Sequence, residues 1–415
     1  MASSRILELA NGIGKFTSLI HDHLASHDLQ FPSFSPDASG TLPEELLKAQ
    51  DAVLNDTAEL HDLLMPPISA LHINGNVQNL VSMNAICRFD MANSFAPGEE
   101  TSFAQMAKHA GLSETVTKSL LRHAMTIRIF CEPKKGVITH TARSALFREP
   151  KIQNFIRTGL EEMTPAALRT LDALQKWPMS EEPAETGFAL ANNTNQLIYE
   201  ILGDDPARAK RFADTMNIFT TEKGFETSHV ISGFDWQSLG AATVVDIGGS
   251  RGHISIALAM QFPALKFVVQ DFEITVKGAE NDMAEAVAER VSFMAHDIFK
   301  EQTVVAHVYY FRWIFHNWSD KYSIKILRSL IPILRPGVHI IINDVCMAEP
   351  GTLAAWREKE LRTFDLGMLA ILNGRERDAE EWKDLFERAD PRFHFEGVTQ
   401  PEGSNLAMIA ASWSG

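Results

Sequence analysis

Cysteine is scarce in this chain: Cys87, Cys131 and Cys346 are the three in 415 residues, odd in number and widely scattered. A disulfide framework and a cysteine-based zinc site are therefore not expected, nor is any other metal site, and the thiols read as small apolar side chains. Positive charge is also in deficit. Lys and Arg total 38 against 53 Asp and Glu, a formal net charge of -15, and no basic run exceeds a pair such as Lys134-Lys135. Such a surface repels phosphate polymers, so no nucleic-acid partner is expected. Long hydrophobic runs are missing too. Apolar residues make up 45% of the chain but are dispersed, so no membrane span is expected. The N-terminal segment 1–16 lacks a basic stretch followed by an apolar core, so the expected compartment is the cytoplasm.

What is present suggests several domains. Residues 1–60 read as a helical extension: two helices around a Pro/Ser-rich joint at 30–40, the second starting near Thr41 and Pro43 with Glu44 and Glu45 in its first turn. Residues 61–150 read as a winged helix. A short helix opens at Thr101, Gly111-Leu112-Ser113 forms a turn with an N-cap serine, and a second helix runs from Glu114 to Ile129 with Val116, Leu120, Leu121 and Met125 on one face. Strands at 129–132 and 136–140 follow. The second helix offers only Lys118, Arg122 and His123, too few cations for DNA binding, so dimerisation or covering of a substrate is the expected role. Residues 151–235 read as a helical linker and pocket region, with Asp204-Asp205-Pro206 starting a helix. In residues 236–415, β-branched runs at 244–246, 266–269, 308–311 and 339–342 alternate with amphipathic helices, which predicts an α/β, doubly wound, Rossmann-like parallel sheet.

The strongest local signal is Val244-Val245-Asp246-Ile247-Gly248-Gly249-Ser250-Arg251-Gly252-His253, a strand running into a glycine-rich turn that opens a helix. Gly248, Gly249 and Gly252 permit positive φ and close approach of a ligand. The turn alone fits NAD and other nucleotides. Asp246 tips the balance: a carboxylate before the turn suits the cationic amino-acid end of S-adenosylmethionine and would repel a pyrophosphate. The next strand ends in Asp271, an acid placed to bind ribose hydroxyls, or a plain helix cap. A third acidic strand end, Asp297, would sit beside the adenine, with Phe299 as an apolar face. Beyond the fourth strand lies His316, which has the pKa to take a proton from a phenol but would equally satisfy a backbone carbonyl.

These motifs, in this order over roughly residues 65–415, resemble the caffeate/flavonoid-type small-molecule O-methyltransferases, in particular their fungal branch. The resemblance implies a dimerising winged-helix domain before the cofactor domain and a homodimer. It places Gly248, Asp271, Asp297, Ile298 and Arg312 on the cofactor contacts, with Trp318 beside them and Thr220 reaching the cofactor's amino-acid end. It makes His316 the general base, with Asp344 and Glu376 as its supporting acids. Two departures stand out: Asn317 where the family often has Asp, and Asp344 where Glu is common. Met216 and Met368 fall where the family sandwiches a flat substrate, and His140 on the wing is a further candidate substrate contact; ordinary core methionines and a surface or core histidine are the plainer readings. The implied reaction is methyl transfer to a hydroxyl of a flat aromatic or polyketide-like metabolite. Two alternatives are carried: a pericyclase or dehydratase holding S-adenosylmethionine as a fixed cation, for which Lys or Arg is expected in place of His316, and a non-catalytic interaction protein on the same fold.

Overall fold

Val244, Val245, Val308, Tyr309, Phe311, Ile340, Ile341 and Ile342 are almost fully buried, as strands covered on both faces must be. The computed structural model describes residues 4–38, 40–221 and 223–415; the side chains of residues 219–221 and 282 lie outside that description. Two compact units emerge. The second comprises Met163–Pro206, Met216–Glu349 and Leu361–Gly415 and contains a seven-stranded sheet. Its strands are β4 (Thr243–Ile247), β5 (Lys266–Asp271), β6 (Val291–Ala295), β7 (Val308–Arg312), β8 (His339–Asp344), β9 (Phe393–Thr399) and β10 (Ala407–Trp413). They are ordered β6-β5-β4-β7-β8-β10-β9, with β4 to β8 mutually parallel and β10 antiparallel to both neighbours. Strand order reverses between β4 and β7, and ligands of open α/β sheets bind beyond the carboxyl ends of strands at such a point. One apolar cluster includes Phe311, Ile340, Trp382 and Ile409, and a second Val244, Ile254, Phe267 and Ile341; together they cover the sheet. The four strands read from β-branched runs are present. The C-terminal pair β9–β10, not anticipated from the sequence, completes the sheet.

The first unit comprises Met1–Glu162, Ala207–Thr215 and Pro350–Glu360. The helices Arg5–Ser26 and Leu47–Leu64 form a pair, tied by Arg5 to Glu59. The stretch 151–235 is shared between the two units. In the winged helix, Ser102 and Gln105 close a capping box on helix Phe103–Ala110, Gly111 takes φ 67°, and Ser113 caps helix Glu114–Thr126. Strands β1 (Glu100–Ser102), β2 (Cys131–Lys134) and β3 (Val137–Thr139) form its sheet in the order β1-β3-β2. The helix face expected to be buried is rotated: Leu121 and Ala124 are fully buried, whereas Val116 is 47% exposed. Arg122 is held by Glu132 through two bonds of 2.8 Å, and Lys118 by Glu114 at 3.4 Å. Among the described residues no helix is long and apolar enough to cross a membrane.

Candidate functional site

At the end of β4 the chain turns through Gly248 (φ 76°), Ser250 (φ 52°) and Gly252 (φ 77°). A Cβ on Gly249 would lie 2.5 Å from the Asp246 carboxyl carbon, so glycine is required there. The N–H groups of this turn are spent internally. Those of Gly248 and Gly249 donate to the Gln270 carbonyl at 2.7 and 3.2 Å, that of Ser250 to Asp271 Oδ2 at 2.9 Å, and that of Gly252 to the Gly249 carbonyl at 2.9 Å. A pyrophosphate cradle needs such donors free, so the geometry argues against a dinucleotide. Asp246 is 2% exposed, and burial pushes its carboxyl up to about 6 despite a 2.6 Å bond from Ser255 and the Arg312 charge. A cationic group brought beside such an acid would favour its charged form. Asp271, half-buried, accepts from backbone N–H groups through both oxygens, as a cap would, and keeps further lone pairs for hydroxyl donors.

Asp297 accepts the Phe299 N–H at 2.9 Å, which sets the Phe299 ring edge-on to Trp318 at 4.7 Å. The buried Arg312 donates to the Phe225 carbonyl at 2.7 Å and to Asn343 Oδ1, which also accepts from Tyr310; its Nε has no partner among the described residues. After β7, a short turn Phe315–Asn317 carries His316, 6% exposed. His316 Nδ1 lies 3.0 Å from Glu376 Oε1, and Trp313 and Phe364 flank the ring with centroids at 4.9 and 5.9 Å. Burial opposes charging of this imidazole, but the Glu376 charge and hydrogen bond, with the Asp344 charge, raise its pKa above the ordinary histidine value. With its Nδ1 proton on Glu376, the ring leaves Nε2 as the atom that accepts a proton.

A family model described as O-methyltransferase domain matches residues 178–391. The O-methyltransferase PaMT of Phomopsis amygdali is 42% identical over 410 residues, covering 98% of this chain and 96% of the relative. The chlorophenol O-methyltransferase of Trichoderma longibrachiatum is 36% identical, covering 99% and 91%. The chain belongs to the O-methyltransferase family. Its fold is shared with OxaC in complex with SAH and oxaline (TM-score 0.74, 20% identity, 99% of this chain and 100% of that chain). It is shared equally with a pericyclic reaction enzyme (TM-score 0.72, 19% identity, 98% and 100%).

In this methyltransferase the two acids assigned to His316 part company. Glu376 meets the ring. Asp344 does not: its Oδ2 accepts the backbone N–H groups of Phe315 and His316 at 2.9 and 3.3 Å. The shorter acid at the end of β8 thus caps the turn and acts on the imidazole through its charge, not through a hydrogen bond to the ring. Burial pushes Asp344 up to about 6. The reading of His140 is corrected. It is 3% exposed in the first unit, between Phe95 and Phe130, with Nδ1 on Ser144 and Nε2 on the Phe95 carbonyl; desolvation lowers its pKa. Both nitrogens are satisfied, so it is a core histidine and offers a substrate nothing. Met368 is buried, and its carbonyl accepts from Gly374, whose Cβ position is filled by the backbone of His316 and Asn317. Met216 is 37% exposed. Ile298 packs partly buried against the sheet, and Thr220 lies among the side chains outside the described residues. Asn343 and Arg377 were missed. Asn343 had a signal, a polar residue closing the run Ile340-Ile341-Ile342; Arg377 had none.

Proposed function

We propose that this enzyme methylates a hydroxyl of a flat phenolic or polyketide-like molecule, with His316 as general base. The observation that carries the reading is the buried 3.0 Å contact between His316 Nδ1 and Glu376 Oε1 at the turn after β7. The cofactor is S-adenosylmethionine, which supplies an electrophilic methyl group when bound. Asp246 and the 248–252 turn would hold its amino-acid end, Asp271 its ribose, and Asp297, Phe299 and Trp318 its adenine. His316 takes the proton of the substrate hydroxyl on Nε2, so that the oxygen attacks as a phenolate, while Glu376 stabilises the imidazolium on Nδ1. Trp313, Phe364 and Met368 support a flat substrate, since aromatic and thioether surfaces contact rings well. The pericyclase alternative shares the fold, but a histidine oriented by a carboxylate is suited to proton abstraction.

Incubation with S-adenosylmethionine and a panel of phenols should yield methylated product and S-adenosylhomocysteine in equal amounts. An isomerised product with the cofactor unspent would instead establish the alternative.

We also propose a homodimer through the first unit. Helix Pro67–Asn74 has no buried residue, and Leu64, Ile68, Leu71 and Ile73 are 64%, 82%, 76% and 54% exposed. An apolar surface of this kind, running from the end of helix Leu47–Leu64 onto helix Pro67–Asn74, supports pairing with a second copy. Light scattering at micromolar concentration should give a dimer, and Ile68→Glu with Leu71→Glu a monomer. A monomeric wild type would refute the assignment.

A further inference from the structure

Arg377 is 0% exposed, and no step assigned so far uses it. Its guanidinium donates to the carbonyls of Phe315 at 3.2 Å and Trp318 at 2.9 Å. It also donates to Asp320 Oδ1 from Nε at 3.0 Å and Nη2 at 2.9 Å, and to Ser323 Oγ at 3.2 Å. Its own carbonyl accepts from Met347 at 2.9 Å, which ties the segment to the chain leaving β8. The bonded carbonyls belong to the residue before His316 and the second residue after it, so one side chain clamps both ends of the turn. Burying a guanidinium is costly, and an apolar side chain of similar size would fill this space with less penalty. The retained charge calls for a use.

The charges that act on His316 are Glu376, Asp344 and Arg377; Trp313 and Phe364 pack against its ring, and Asp365 accepts the Glu376 backbone N–H at 2.9 Å. Asp320 stands behind Arg377 and is shared with Arg388 at 2.9 Å, Arg388 also pairs with Asp384 at 3.0 Å, and Arg375 is paired with Glu381. Of these groups, Glu376 and Asp344 favour the charged imidazole and Arg377 opposes it. Without Arg377 that opposing charge is lost, and the imidazole keeps its proton to higher pH.

We propose that Arg377 is a positioning residue that fixes the His316 turn and offsets one of its two carboxylates, keeping the imidazole free to accept the substrate proton. This rests on His316 being the base. The Arg377 charge does lower the histidine's pKa against the upward pull of Glu376 and Asp344.

The test is the pH profile of kcat/KM on a weakly acidic phenol for Arg377→Lys and Arg377→Gln, with His316→Ala in parallel. Arg377→Lys keeps the charge but cannot span both carbonyls. It should lower kcat about tenfold with the acid limb unmoved. Arg377→Gln should raise the acid limb by a measurable amount, smaller than the opposite shift in Glu376→Gln, because a positive charge that opposes protonation of His316 is lost. A residue that only braces the fold would reduce the yield of active enzyme without moving the limb. An unmoved limb in Arg377→Gln, or equal limbs in both variants that differ from wild type, overturns the proposal. If Arg377→Gln does not fold, Asp320→Asn gives the opposite sign: it frees the Arg377 charge, so the limb should fall, and no movement overturns the proposal. Full activity of His316→Ala would refute the underlying assignment of the base instead.

Discussion

His316→Ala should lower kcat for a weakly acidic phenol by about 10²–10⁴-fold, the range associated with losing a general base. Affinity for S-adenosylmethionine, read by calorimetry, should stay nearly unchanged. The separation follows from the geometry. The groups assigned to the cofactor stand at the ends of β4, β5 and β6 and at Trp318, whereas the His316 ring is held by Glu376 and packed against Trp313 and Phe364. The truncation removes the proton acceptor and leaves the turn, because Asp344 and Arg377 hold the backbone and not the ring. A phenol already ionised at the assay pH supplies the control: it needs no base, so the deficit should shrink sharply. An undiminished rate on the weakly acidic phenol would remove His316 from the mechanism.

The cofactor end of the site was legible in the sequence because it is local. Asp246, the glycines and the strand before them lie within a few residues, and their spacing constrains both backbone and ligand. The structure adds what spacing does not contain, namely that the turn's N–H groups are already bonded to Gln270, Gly249 and Asp271. The catalytic end is non-local. Glu376 reaches His316 across 60 residues, and only the family resemblance brought the two together. Asp344 shows the limit of that route. Resemblance placed an acid near the histidine, but a side chain one methylene shorter than Glu is bonded to backbone N–H groups and not to the ring. His140 failed for a different reason. Its aromatic box takes Phe130 from just before the adjacent strand of the hairpin but Phe95 from far back in the chain, so its burial was only partly marked locally. The strands β9 and β10 were hidden similarly. Polar residues interrupt Phe393–Thr399, and only pairing with β10, itself paired with β8, makes it part of the sheet.

Glu376→Gln is the variant whose two effects run in opposite senses, and that makes it the stricter test of the pair. The carboxylate is buried, with Oε1 on His316 Nδ1 and Oε2 without a partner among the described residues. Glutamine keeps the volume and removes the charge. The imidazolium then forms without its nearest counter-charge, and an amide NH₂ turned toward Nδ1 would favour the wrong tautomer; kcat should fall by about 10²–10⁴-fold. The pH dependence follows from the sign of the histidine's shift. Burial depresses the pKa of His316, and Glu376 is the largest influence raising it above the ordinary value. Remove Glu376 and burial prevails, the pKa falls, and the neutral, base-competent form persists to lower pH. The acid limb of kcat/KM should therefore move down by about one pH unit or more even as the plateau drops. A variant that lost rate merely through disorder would keep the wild-type limb. A limb that stays in place or rises, with the plateau intact, would mean that Glu376 neither orients nor charges the histidine. Arg377→Gln, one residue further along the chain, should move the same limb up, because the two side chains bring opposite charge to one imidazole.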